Sequence, residues 1–272
     1  MPTYASRSLW TSTPGYDSST IAWIANVFAQ SGVVVSDAQA ILVNTLIVGL
    51  KADSVWDKLD RLWLFAIEDA DEALNDIVVG GIATTVNAPT FTVNQGYAGD
   101  GSTSYVNTNY APGTDGTYYT LNAAHFSVWD NTNRSAANNQ ITLGCRNTAE
   151  ASESSLWDFF GPNQAVVRIN GFTTIDGSGP NTSLGYFIVN AVDSANFNYY
   201  YNGSLQNLIT SGTTVSPISD RPFFVGGANF GSLVNPTADQ ISAVSFGGLL
   251  NATDAANLYS RLRTYMTAVG VP

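Results

Sequence analysis

Few side chains in this 272-residue chain can do chemistry: 21 acidic, ten basic, one histidine and one cysteine. Their spacing decides which reactions are open. A glycosidase needs two carboxyl groups facing each other, about 5 Å apart for retention and about 6.5–9.5 Å for inversion. Glu68, Asp69, Asp71 and Glu72 are the densest acidic group, but they close a segment of helical spacing and read as a solvated helix end or interdomain cap. Glu150, Glu153 and Asp158 lie in strand-like sequence without the alternating E-x-D-x-x-E pattern of a glucanase strand.

Other chemistries find less. His125 and Cys145 would suit a base and a thiol nucleophile if two strands brought them together, yet nothing local supports the pair, and Cys145 reads as a packed small residue. Zinc would need two carboxylates to complete a set with one histidine and one cysteine. Asp130, Asn131 and Asn133 follow a strand and offer oxygens suited to Ca²⁺, although Asx-rich turns form without metal. Gly99-Asp-Gly101 and Gly177-Ser-Gly179 are turns, and no phosphate-binding glycine motif is present. The reading is a protein without catalytic residues, cofactor or metal.

Ligand binding is the remaining possibility. Trp129 and Trp157 fall near loop-rich strand ends, where an indole face can stack on a sugar ring while Asp130, Asn131, Asp158 or Asn163 hydrogen-bond its hydroxyls. Core packing competes for both indoles. The candidate binding residues are therefore Trp129, Asp130, Asn131, Trp157 and Asp158.

Two kinds of element must position these residues. Both lysines, Lys51 and Lys58, precede residue 80, in a segment whose apolar residues recur at helical spacing. A first helix is capped by Ser18 or Ser19, buries Ile21, Ile24, Val27 and Phe28, and ends at Gly32. Ser36 and Gln39 form a capping box for a second, through Ile41, Leu42 and Leu46 towards Gly49. A third starts at Ser54, with Val55, Leu59, Leu62 and Ala66 on one face and Trp56 and Trp63 beside it. Short links predict a helical hairpin or three-helix unit.

From about Val86, short β-branched and aromatic runs alternate with Gly, Asn, Asp and Pro. Strands are expected at Thr90–Val93, Tyr118–Leu121, His125–Trp129, Gln140–Leu143, Leu156–Phe160, Val166–Asn170, Gly185–Asn190, Phe197–Tyr201, Phe223–Val225 and Ile241–Phe246. So many short strands predict a sandwich or jelly roll. Asn202-Gly203 is the strongest hairpin signal. A last helix is capped by Asn251, with Asp254 in its first turn, Leu258, Leu262 and Tyr265 buried, and Gly270 after it. The expected organisation is an arm (1–17), a helical docking domain (18–80) and a β jelly roll (85–272).

The succession of Tyr-Asn-Gly hairpin (201–203), Phe-Val-Gly-Gly (224–227), Ile-Ser-Ala-Val-Ser-Phe-Gly (241–247) and final helix resembles concanavalin A-like (laminin G-like) jelly-roll domains of tailed-bacteriophage virion proteins. The stretches from Leu50 to Trp63 and from Gly96 to Tyr105 look like the amino-terminal part of the same proteins. The resemblance implies a mainly β antiparallel jelly roll with a small N-terminal helical domain. It also implies a surface-exposed virion protein, as tail fibre, tail tip or head decoration. Expected partners are other virion proteins, reached through the arm and helical domain, further copies of the chain, and host surface polysaccharide. A glycan-degrading jelly roll and a purely stabilising capsid decoration are the alternatives.

Composition narrows this further. The net charge of −11 opposes association with nucleic acid or anionic lipid, so a polymer ligand is expected to be neutral. The chain opens without the basic-then-apolar order of a signal peptide, and its longest apolar run, Ala40 to Leu50, is too short to cross a bilayer. A protein made in the host bacterial cytoplasm and incorporated into a virion fits these features, with no membrane insertion.

Overall fold

In a computed structural model, described for residues 15–134, 139–161, 164–172, 175–210 and 212–272, three layers stack: helices, a first β-sheet and a second. Most of the expected arm lies outside the described residues. The first sheet runs in the spatial order β13 (Ser204–Ile209), β12 (Phe197–Tyr201), β11 (Gly185–Ala191), β6 (Ala124–Asp130), β17 (Gln240–Gly247), β4 (Gly96–Ala98) and β3 (Thr90–Thr92), and β1 (Leu59–Leu64) also pairs with β17. The second runs β10 (Ile175–Ser178), β9 (Gln164–Arg168), β8 (Glu153–Gly161), β7 (Leu143–Arg146), β14 (Phe224–Val225), β5 (Tyr105–Asn107) and β2 (Thr84–Val86). Beside β7 lies β15 (Gly227–Asn229) in parallel, itself paired with β16 (Leu233–Val234). All other pairings are antiparallel, and the architecture is the expected β-sandwich jelly roll.

Alternation along β6 explains the layering. Phe126, Val128 and Asp130 point between the sheets, where Phe126 meets Phe223 of the facing layer. His125, Ser127 and Trp129 point the other way, and Trp129 stacks on Tyr259 of α5 (Ala252–Val269). Asn251 and Asp254 make the capping box of α5, Leu258, Leu262 and Tyr265 are buried, and Gly270 closes it in the left-handed conformation, all as expected. The Asn202-Gly203 turn takes φ of 47° and 74°, the two positive values a tight hairpin requires. Two short helices, α3 (Ala70–Ala73) and α4 (Pro112–Asp115), lie in connections.

The amino-terminal segment departs from expectation. Helix α1 (Ser18–Ser31) is capped by Asp17, and buries Thr20, Trp23, Ile24 and Val27 while Ile21 and Phe28 face outward. Helix α2 (Asp37–Ala52) runs one turn past Gly49. The Ser36 hydroxyl caps Gln39, but the Gln39 side chain leaves the capping box to meet Tyr265. The third helix does not form: after a single 3₁₀ turn at Trp56–Lys58 the chain becomes β1. Leu62 to Ile67 is an unbroken apolar run, and β1 is covered on both sides, so its burial pattern carries no period of two. Asp60 on this strand accepts hydrogen bonds from the amides of Thr117, Tyr118 and Tyr119, so the expected strand Tyr118–Leu121 is instead a loop folded over a carboxylate. Residues before and after position 80 share one hydrophobic core, from Trp23 and Leu46 through Trp63 to Phe246 and Leu262.

Candidate functional site

The five candidate binding residues are distributed over three layers, and they do not form one sugar-binding surface. Neighbours on a strand point to opposite faces, so Trp129 and Asp130 separate, as do Trp157 and Asp158. Trp129 is 1% exposed, stacked between Tyr186 and Tyr259 with the Arg263 guanidinium 5.0 Å from its ring centre, and no sugar can reach it. Asn131 crosslinks two segments, donating from its side chain to Gln95 Oε1 at 2.6 Å and from its backbone to Gln240 O at 2.7 Å. Trp157 is on the outer face of the second sheet but only 6% exposed, packed in a small cluster with Ile141, Val166 and Ala228, with its indole N–H on Asn139 Oδ1. Asn163 lies outside the described residues. The Asx loop does not converge either, because Asn133 accepts a hydrogen bond from Thr182 instead of joining Asp130.

Asp130 and Asp158 do meet, inside the sandwich. Asp130 ends β6 and Asp158 projects inward from β8, while Asp239, immediately before β17, completes a triad whose carboxylate oxygens lie within 4.8 Å of one another. All three residues are buried. The Thr132 amide donates to Asp130 Oδ1 at 2.7 Å, and Arg134 pairs with both Asp158 and Asp239. Burial, then the charges of Asp239 and Asp158, push the Asp130 carboxyl well above the usual carboxylate range. Burial and Asp158 together push Asp239 up to about 6, against the opposing pull of Arg134.

The other candidate groups serve structure. His125 is buried with Nδ1 at 2.5 Å from Gly248 O and Nε2 at 3.2 Å from Ser245 Oγ, and burial lowers its pKa to about 4. Cys145 belongs to the opposite sheet, where burial raises its thiol pKa, so no thiolate–imidazole pair is built. Glu72 is buried, and that burial, with Asp69 and Glu68 nearby, raises its pKa to about 7.

A second polar assembly occupies the outer face of the second sheet, where Glu153, Ser155 and Trp157 of β8 point away from the core. Arg146 of β7 donates twice to Glu153 Oε2, at 2.7 and 3.2 Å, and Arg168 of β9 donates to Oε1 at 2.9 Å. Ser155 adds a fourth donor at 2.5 Å. The guanidinium groups are themselves stacked: Arg168 lies 5.2 Å from the Trp157 ring centre, and Arg146 lies 3.9 Å from that of Phe230 and 5.5 Å from that of Phe172. Two arginines against one glutamate leave a single positive charge. Both arginine side chains keep 25% of their surface exposed, and Phe172 keeps 43%. The result is a pre-ordered strip of alternating aromatic rings and guanidinium groups on an acidic protein. Sequence reasoning included Trp157 but not its arginine partners. Their signal was available, since after Lys58 arginine is the only basic residue.

The chain matches no protein-family model and no curated protein. Its fold is shared with solved structures. Domain 4 of AbnA, an extracellular arabinanase from Geobacillus stearothermophilus solved with arabinotriose, aligns with a TM-score of 0.53 at 16% identity, covering 74% of this chain and 98% of that one. Trypanosoma rangeli sialidase in complex with 2,3-difluorosialic acid aligns with a TM-score of 0.57 at 11% identity over 83% of this chain, which spans 39% of the sialidase. The botulinum neurotoxin serotype D binding domain aligns with a TM-score of 0.50 at 13% identity, covering 76% of this chain and 51% of that one. At these identities the likeness defines the class as a β-sandwich jelly roll.

Proposed function

We propose that the chain is a non-enzymatic structural module of a tailed-phage virion, displayed on the particle and contacting host surface glycans through the outer face of its second sheet. The observation that carries the glycan reading is the pair of part-exposed guanidinium groups, Arg146 and Arg168, fixed by the buried Glu153 and flanked by the exposed Phe172 ring, with Trp157 buried beneath Arg168 as support. Aromatic faces stack on sugar rings, and guanidinium groups hydrogen-bond hydroxyl or carboxylate oxygens in a fixed plane. The fold neighbours that were solved with arabinotriose and with a sialic acid derivative are consistent with such a ligand.

The virion setting rests on the resemblance of the Leu50–Trp63, Gly96–Tyr105 and carboxy-terminal motifs to phage proteins. A docking role for the helical segment is supported by apolar side chains left exposed seven residues apart, Ile21 and Phe28 on α1 and Ile41 and Val48 on α2. Incubating the purified protein with host capsule or lipopolysaccharide tests the function: retention of the protein without release of shorter saccharides is expected. Release of saccharides would establish the degrading alternative. Absence of binding, together with particles that lose stability but not adsorption when the protein is removed, would establish the pure decoration.

A further inference from the structure

We propose that Asp130, Asp158 and Asp239 form a site for one hard divalent cation of the Ca²⁺ type, which ties the two sheets together at one end of the sandwich. The site is distinct from the glycan strip and does not depend on that reading.

Two of the carboxylates are already oriented by a hydrogen-bond donor and the third by an ion pair. Thr132 N–H holds Asp130 through Oδ1, Arg134 donates to Asp158 Oδ1, and the same guanidinium ion-pairs with Asp239 Oδ2. Such outer donors fix metal-ligating carboxylates in place. Asp130 Oδ2 and Asp158 Oδ2 remain buried and accept no hydrogen bond. The Tyr199 hydroxyl is also buried without a partner, on a ring stacked against Phe187, and it feels the Asp158 charge. Lone pairs left facing one another in a protein interior are costly, and only a proton or a cation can join them.

Charge and geometry select the cation. With all three ionised, the carboxylates against Arg134 sum to −2, which a divalent ion taking the place of the proton would cancel. The donors are oxygens throughout, a set that suits Ca²⁺, Mg²⁺ or Mn²⁺ over zinc or copper. Ca²⁺ takes oxygens at about 2.3–2.6 Å in irregular geometry, so ligands within 4.8 Å of one another can share it, whereas Mg²⁺ demands a near-ideal octahedron at about 2.0–2.1 Å. Asp239 also lines a narrow crevice with Tyr97, Gly99, Tyr105 and Gly226, which places the triad close to one edge of the sandwich.

The full chain, stripped with EDTA and titrated with CaCl₂ at pH 7.5, should take up one equivalent by calorimetry. At a hundredfold excess over Kd its melting midpoint should rise by roughly 5 °C. Asp158→Asn should abolish both effects. Tb³⁺ luminescence sensitised by aromatic residues of the unmodified chain gives a second readout, independent of how that variant folds, which excess Ca²⁺ should quench by displacement. A chain that binds neither Ca²⁺ nor Tb³⁺, and melts at the same temperature with Ca²⁺, Mg²⁺, Mn²⁺ or EDTA, would overturn the proposal and leave a shared proton as the link.

Discussion

Gln39 and Tyr265, 226 residues apart, are joined directly: the Gln39 side-chain amide donates to the Tyr265 hydroxyl at 2.8 Å, and that hydroxyl donates onward to Ala66 O at 2.9 Å. One buried phenol thus connects α2, α5 and the end of β1. Tyr265→Phe keeps the ring but strands a buried amide and a buried carbonyl, which should cost about 1–3 kcal/mol. Urea unfolding should show a lower midpoint with an unchanged slope.

Asp60 makes a stronger claim on the loop after α4. Its carboxylate accepts three backbone amides and the Tyr110 hydroxyl, all at 2.8–3.0 Å. Asp60→Ala leaves four donors unpaired, three from one loop, and should destabilise by about 3 kcal/mol or more. Hydrogen exchange should show amides 117–119 losing protection before the rest of the sandwich.

The helical and β segments should not fold apart. Strand β1 pairs with β17 from Leu59↔Gly247 to Leu64↔Ala243 and is covered by apolar residues on both sides. A chain beginning at residue 85 should be aggregated or molten, with weak near-ultraviolet circular dichroism. A cooperative melt at the parent temperature would refute this.

These relationships mark what could be read from the residues. The all-β texture, the Asn202-Gly203 hairpin and the whole of α5 were legible, because turn chemistry and capping are local and each was encoded by neighbouring residues. The strand β1 was not. Val55, Leu59, Leu62 and Ala66 satisfy a helical period, and only the covering layers on both sides make the same residues a buried strand. The candidate site was half legible. Asp130, Asp158 and Trp157 were identifiable as polar and aromatic candidates, although only Asp130 ends its strand and Trp157 and Asp158 fall in the middle of β8. Their sorting into an interior triad and an outer strip depended on strand parity and on Asp239, Arg146 and Arg168, which arrive from distant sequence.

Glu72 gives a prediction in pH. Its carboxyl titrates at about 7 when folded against 4.5 ordinarily, so between these values the folded chain holds a proton that the unfolded chain releases. The stability contributed by that proton is complete below pH 4.5 and is lost as pH rises to 7. Glu72→Gln should therefore change little at pH 4.5 and stabilise by about 2–3 kcal/mol at pH 8, a difference that parallel thermal melts will detect.

The glycan strip is the central claim, and Phe172→Ala tests it most directly, because the ring is exposed and its loss should leave folding intact. Calorimetric titration of host capsule or lipopolysaccharide fragments should show binding to the unmodified chain and about tenfold weaker binding to the variant, with equal melting temperatures; tenfold corresponds to about 1.4 kcal/mol, within reach of a single stacked ring. Equal affinities for the two proteins, or no binding by either, would contradict the account.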